Sequence, residues 1–243
     1  MTDIEAAKIL IRLLDLTSLN RDDTKETIKD LCNRANTPYG STAAVCVYPE
    51  FIATALHEIK NNIKIATVVN FPDGNSDTKQ LEKEIKQAIK LGADEIDAVL
   101  PYKELLAGND DVCTKFLTKA RKLCGDKTLK IIIESGELKS TNNIKKATRM
   151  AIEAGADFVK TSTGKTAISA TPEAANAILE EIKASGKDVG FKASGGIKTL
   201  EDAKKYLSLA ISIMDPNWIN TKHFRIGASS VLNNLLERIN KGY

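Results

Sequence analysis

The chain has 243 residues, 42% hydrophobic and 28% charged, enough apolar mass to bury a sizeable core and too much to leave it disordered. Its 35 basic and 32 acidic residues leave a net charge of only +3, which excludes a broad electrostatic footprint for nucleic acid or an anionic membrane. Any anion is therefore expected to bind locally.

The start Met1-Thr2-Asp3-Ile4-Glu5 lacks the basic stretch and apolar run of a secretory signal, and no run of about 18 apolar residues occurs. A cytoplasmic protein is expected. Cys32, Cys46, Cys113 and Cys124 show no Cys-x-x-Cys spacing, and His57 and His223 lie far apart. Structural zinc, most histidine-based triads and a disulfide framework are accordingly not expected.

Apolar residues at helical spacing predict a helix over 4–14, leading into Asp15-Leu16-Thr17-Ser18-Leu19-Asn20. Asn20 is placed as the N-cap of a helix through 22–26, where acidic residues suit the positive end of the helix dipole. A buried strand over 43–48 is stopped by Pro49, and 51–61 reads as helix. The strand at 63–69 closes on the turn Phe71-Pro72-Asp73-Gly74, and an amphipathic helix over 77–91 ends at a Gly92 C-cap. Pro101 ends the strand at 95–100, and a long helix is predicted over 110–124. A strand over 129–134 precedes a helix that ends at 154–155. Strands at Phe158 and Val189 flank a helix over 172–184, and a further strand is read over 209–214. The last strand, 224–227, runs into Ala228-Ser229-Ser230, the predicted N-cap of a helix ending near 240.

Near-continuous apolar strands alternating with helices imply a parallel sheet covered on both faces, and about eight repeats favour closure. The expected class is α/β: a single (β/α)8 TIM barrel over 1–243 with an extra N-terminal helix. A doubly wound open sheet is the alternative, but no Gly-x-Gly-x-x-Gly follows the first strand.

Two strands share an unusual design. Phe158-Val159-Lys160 runs into Thr161-Ser162-Thr163-Gly164-Lys165, and Gly190-Phe191-Lys192 runs into Ala193-Ser194-Gly195-Gly196. Each carries an internal lysine and ends in a glycine turn, so two amines are expected to converge beside an anion. A lysine is a nucleophile only when unprotonated, and at a reference pKa of about 10.4 roughly one in 2,500 is neutral at pH 7. A second cation about 4 Å away, at an effective dielectric of about 20, repels by about 4 kcal/mol, or roughly three pKa units. Twin lysines on neighbouring strands would thus suit imine formation with a carbonyl substrate. Asp97, Cys46 and Lys130 also lie within strands. Asp97 reads either as an ion-pair partner of a lysine or as a proton relay. Gly227-Ala228-Ser229-Ser230 opens a helix whose N-terminus suits phosphate.

At these residues the sequence resembles the deoxyribose-phosphate aldolases, class I aldolases with the (β/α) barrel fold. The resemblance runs through Asp15-Leu16-Thr17, Val68-Val69-Asn70-Phe71-Pro72-Asp73-Gly74, Gly92-Ala93-Asp94-Glu95-Ile96-Asp97, Ile132-Ile133-Glu134-Ser135-Gly136-Glu137-Leu138, the Lys160 and Lys192 stretches and Gly227-Ala228-Ser229-Ser230. It implies that Lys160 forms the Schiff base, that Lys192 lowers its pKa, and that Asp97 and Lys192 share a proton relay. It further implies reversible cleavage of 2-deoxyribose 5-phosphate to glyceraldehyde 3-phosphate and acetaldehyde, without metal or organic cofactor, in a homodimer or homotetramer. Gly164, Lys165, Gly195, Gly196, Gly227, Ser229 and Ser230 match positions near the phosphate. Asp15, Thr17, Lys130 and Thr163 are included with the substrate-binding set, Cys46 matches a pocket cysteine, and Tyr243 matches a tail tyrosine that helps move the donor's proton. Two departures are Ser135 in place of a common threonine and Ala193-Ser194 in place of Pro-Ala, the latter expected to loosen the strand end around Lys192. Other imine-forming barrel enzymes of the transaldolase kind, and a non-catalytic sugar-phosphate binder, are the rival readings.

Overall fold

The structure is a computed structural model that describes residues 1–60 and 62–242; the expected tail role of Tyr243 and the predicted helix end at Asn61 lie outside the described residues. Among the described residues, eight parallel strands close into a barrel. They are β1 (Leu14–Thr17), β2 (Ala44–Val47), β3 (Lys64–Val69), β4 (Glu95–Val99), β5 (Thr128–Ile132), β6 (Phe158–Lys160), β7 (Gly190–Ser194) and β8 (Phe224–Ala228). Each pairs with its neighbours in the chain, and β1 pairs with β8 to close the ring. The outer layer holds α1 (Asp3–Arg12), α2 (Lys25–Arg34), α3 (Ile52–Glu58), α4 (Thr78–Leu91), α5 (Tyr102–Leu106), α6 (Asp110–Cys124), α7 (Thr141–Glu153), α8 (Pro172–Ser185), α9 (Leu200–Ile213) and α10 (Val231–Lys241). The chain folds as the TIM barrel its pattern predicts, with α1 ahead of the first strand and packed on α10 and α9.

Three local expectations are corrected. The strand predicted over 209–214 is the last turn and a half of α9. The alternation Leu209-Ala210-Ile211-Ser212-Ile213 imitates a strand, but buried Leu200, Ala203, Tyr206, Leu207 and Ala210 form one helical stripe, and Thr199 and Asp202 make a capping box at its start. The missing strand is β1, only four residues long, in which fully buried Leu14 and Leu16 belong to the main core between strands and helices. Asn20 does not cap a helix. Its N–H donates to Asp23 in a turn, and α2 starts later, on a Thr24–Thr27 box.

Helix ends follow ordinary chemistry elsewhere. Asp77 accepts from Lys79 and Gln80 at the start of α4, and Gly92 ends it at φ +101°. The apolar faces of strands and helices meet in one continuous core. The barrel interior is different: its middle is charged.

Candidate active site

Side chains alternate along a strand, so Asp15 on β1, Glu95 and Asp97 on β4, Lys130 on β5, Lys160 on β6, Lys192 on β7 and Arg225 on β8 meet inside the barrel. Lys160, Lys192 and Arg225 stand in one register row across adjacent strands, and Asp97 stands opposite Lys130. Asp97 is the hub. Its Oδ2 accepts from Lys160 at 2.7 Å and from Lys192 at 2.8 Å, and its Oδ1 accepts from Lys130 at 2.8 Å. The two lysines of the twin motifs thus share one oxygen, closer together than those two contacts laid end to end. Lys192 also donates to Asp15 at 2.5 Å, and Lys130 pairs with Glu95 at 2.5 Å.

The partners decide which amine loses its proton. Burial, and after it the charge of Lys192, pushes the Lys160 ammonium below its ordinary range against the pull of Asp97. Burial also acts on Lys192 and Lys130, but there Asp15 and Asp97, and Asp97 and Glu95, outweigh it and hold both amines above their ordinary range. Asp97 is raised by burial yet held well below the carboxylate range by its three ammonium neighbours. The arithmetic of the sequence motif, which gave the second cation the leading part, is therefore reordered: dehydration of Lys160 comes first and Lys192 second.

Exposure separates the two lysines further. Lys160 is 3% accessible and lines a cavity of about 220 Å³ at the carboxyl ends of the strands, whereas Lys192 is 0% accessible and lies beneath. The rim carries Thr17, Thr163, Gly164, Lys165, Ser194, Gly195, Gly196, Gly227, Ser229 and Ser230, all read from the sequence, together with Asn20 and Lys198, which were not. Ser230 occupies the N-cap of α10 without a side-chain hydrogen bond there, so its hydroxyl does not satisfy the helix's first N–H groups. Gly195 sits at φ +87°, and a Cβ on it would come within 2.5 Å of Ser169 and 3.2 Å of the Gly164 Cα. A side chain at Gly195 would crowd both Ser169 and the turn after β6.

The strand ends are tied together rather than loosened by the Ala193-Ser194 pair. Ser194 N–H donates to the Thr161 hydroxyl, and the Ser194 hydroxyl donates to the Ser162 carbonyl. The Lys160 carbonyl accepts from Ile133 N–H, and Thr161 N–H donates to the Lys192 carbonyl. Glu134, held at φ +51°, accepts from the N–H and hydroxyl of Thr163 and from the Thr166 hydroxyl, fixing the turn that carries Gly164 and Lys165. Burial raises its carboxyl pKa against those donated hydrogen bonds.

Three residues of the expected substrate-binding set do not reach the cavity. Asp15 and Lys130 lie below it in the ion array, and Cys46 packs with Leu19, Ala44, Ala66 and Val68. Burial, then the charge of Asp97, pushes the Cys46 thiol up, which removes it as a nucleophile near neutral pH. Glu95, Arg225 and Glu134 were missed. Glu95 and Arg225 are charged residues inside predicted strands, the same signal that marked Lys130.

The arrangement offers an amine whose pKa is shifted down, a carboxylate bridging to a second amine, and an anion cradle above. A family model for DeoC/LacD family aldolase matches residues 9–236. A provisionally assigned deoxyribose-phosphate aldolase of Coccidioides immitis superposes with a TM-score of 0.84 at 28% identity, over 93% of this chain and 85% of that one. One of Toxoplasma gondii gives 0.88 at 24% identity over 98% of both chains, and the tetrameric deoxyribose phosphate aldolase of Aeropyrum pernix gives 0.76 at 23% identity over 99% and 98%. With nearly its whole length matched and an amine-bearing cavity at the catalytic face of the barrel, the chain belongs to the DeoC/LacD aldolase family and is an aldolase.

Proposed function

We propose that the protein cleaves 2-deoxy-D-ribose 5-phosphate reversibly to D-glyceraldehyde 3-phosphate and acetaldehyde, through an imine on Lys160. The observation that carries this is that Lys160 alone, among the seven charged groups of the buried array, opens into the cavity beneath the glycine and serine turns. The free amine adds to the C1 aldehyde, and loss of water gives an iminium. As the C3 hydroxyl gives up its proton, the C2–C3 bond breaks and its electron pair flows into the iminium, leaving an enamine and releasing glyceraldehyde 3-phosphate. Protonation at C2 and hydrolysis then free acetaldehyde and restore the amine. Asp97, which accepts from both Lys160 and Lys192, is read as the group that passes protons at these steps.

The N-terminus of α10 with Gly195, Gly196, Gly227, Ser229 and Ser230 is read as the phosphate cradle, and Lys165 and Lys198 supply positive charge at its edge. The reading includes one domain over 1–243, a homodimer or homotetramer, and a place in cytoplasmic deoxyribose phosphate breakdown. Among the described residues, no helix is long and apolar enough to cross a membrane.

Borohydride reduction in the presence of 2-deoxyribose 5-phosphate, followed by peptide mass mapping, tests the chemistry. The adduct is expected on Lys160; mass on Lys192 instead reverses the roles, and no adduct leaves a sugar-phosphate binder. A separate expectation concerns the loop. Glu134→Ala removes the acceptor that holds Thr163 and Thr166, and steady-state kinetics should show KM rising about 10-fold or more with a smaller change in kcat. An unchanged KM would mean that the turn holds its shape without Glu134.

A further inference from the structure

The buried array contains more cations than carboxylates. Lys130, Lys160, Lys192 and Arg225 face Asp15, Glu95 and Asp97, so a fully ionised array carries one positive charge in excess. The carboxylate oxygens are all engaged. Asp15 holds Arg225 at 2.5 Å and Lys192 at 2.5 Å, and Glu95 holds Lys130 at 2.5 Å and Arg225 at 3.1 Å. Lys130 also lies 3.4 Å from Asp15, Asp97 takes the other contacts, and Lys160 has only a share of one of its oxygens. Arg225 does not give up its proton in a protein. The excess charge therefore leaves from the amine with the fewest partners, which is also the one at the cavity.

We infer that Arg225 and Glu95, at the end of the barrel opposite the cavity, act as positioning residues that fix the proton count of the array, Arg225 favouring and Glu95 opposing the free amine of Lys160. This rests on reading Lys160 as the imine-forming group. Both residues line a second cavity, of about 600 Å³, at the amino ends of the strands, so the array reaches from one mouth of the barrel to the other. The remaining strands add little charge. From β2 comes Cys46, its thiol pushed up by burial; on β3, Lys64 is exposed at the lower mouth and the Thr67 hydroxyl donates to the Val47 carbonyl. Lys165 and Lys198 lie at the upper rim, and the lower cavity lined by Arg225 and Glu95 also carries Arg12, Asp157, Asp188 and Lys222.

The sign follows from the count. Arg225→Gln leaves three cations facing three carboxylates, so the excess vanishes and Lys160 keeps its proton. Arg225 stands two strands from Lys160 in the same register row, roughly 10 Å of backbone, which at an effective dielectric of about 20 corresponds to a shift on the order of one pH unit. Glu95→Gln increases the excess and shifts in the opposite direction. The double variant restores an excess of one.

The test is the pH midpoint for borohydride trapping of Lys160 with 2-deoxyribose 5-phosphate, with thermal melts of each variant in parallel. The midpoint is expected to move alkaline by about one unit in Arg225→Gln, acid in Glu95→Gln, and back close to wild type in the double variant and in Arg225→Lys. Single variants moving in the same direction, or midpoints that stay put while Lys160 is still trapped, overturn the inference alone. If Arg225→Gln does not fold, the double variant must still lie alkaline of Glu95→Gln, and equality overturns the inference. No Lys160 adduct in the wild-type protein removes the imine reading and this inference with it.

Discussion

Lys160→Met is expected to lower kcat/KM for cleavage of 2-deoxyribose 5-phosphate by roughly 10,000-fold or more, with the protein still folded. The size follows from the chemistry: without an amine at the cavity the electrons of the breaking bond have no iminium to enter. Survival of the fold follows from the array. Asp97 keeps Lys130 and Lys192 as partners, so the substitution strands no carboxylate, and methionine fills much of the vacated volume. Steady-state kinetics beside a thermal melt check both halves. Turnover within tenfold of wild type would place the nucleophile elsewhere.

Lys192→Met should have the second largest effect, and of a different kind. Lys192 shares Asp97 Oδ2 with Lys160 and repels it; removing that charge leaves the oxygen to Lys160 alone and strengthens the grip on its proton. The Lys160 ammonium then holds its proton to higher pH, so the rate–pH profile moves alkaline, and the rate at pH 7 falls by roughly 100-fold or more from the combined loss of free amine and relay. Asp15 loses its shorter lysine contact but keeps Arg225 and, at 3.4 Å, Lys130, so a stability loss of about 1–3 kcal/mol is also expected. A lowered rate with an unmoved profile would assign Lys192 to proton transfer alone.

These two residues were also the most legible in the sequence, because a lysine inside an apolar strand has few harmless places to go. The glycine turns were equally plain, since several positive-φ positions fall on them. What escaped had physical reasons. Four-residue β1 is too short for a period of two to stand out against the helix that runs into it. The end of α9 alternates like a strand while its buried stripe is helical. Lys130 could be placed in a barrel strand and Asp15 came only from the resemblance, but a sequence does not give depth along the barrel axis, and both lie below the cavity. Glu95 and Arg225 were visible as charged strand residues, yet their importance emerges only when cations and carboxylates on six strands can be counted together.

The peptide that follows Lys160 is clamped from both neighbouring strands, its carbonyl accepting from Ile133 N–H and its Thr161 N–H donating to the carbonyl of Lys192. Every displacement between carbinolamine, iminium and enamine must then be absorbed by torsions of the lysine's own four-methylene tether. The scaffold stays still while the covalently attached carbon swings, so the phosphate end of a bound sugar can remain berthed as the other end changes hybridisation.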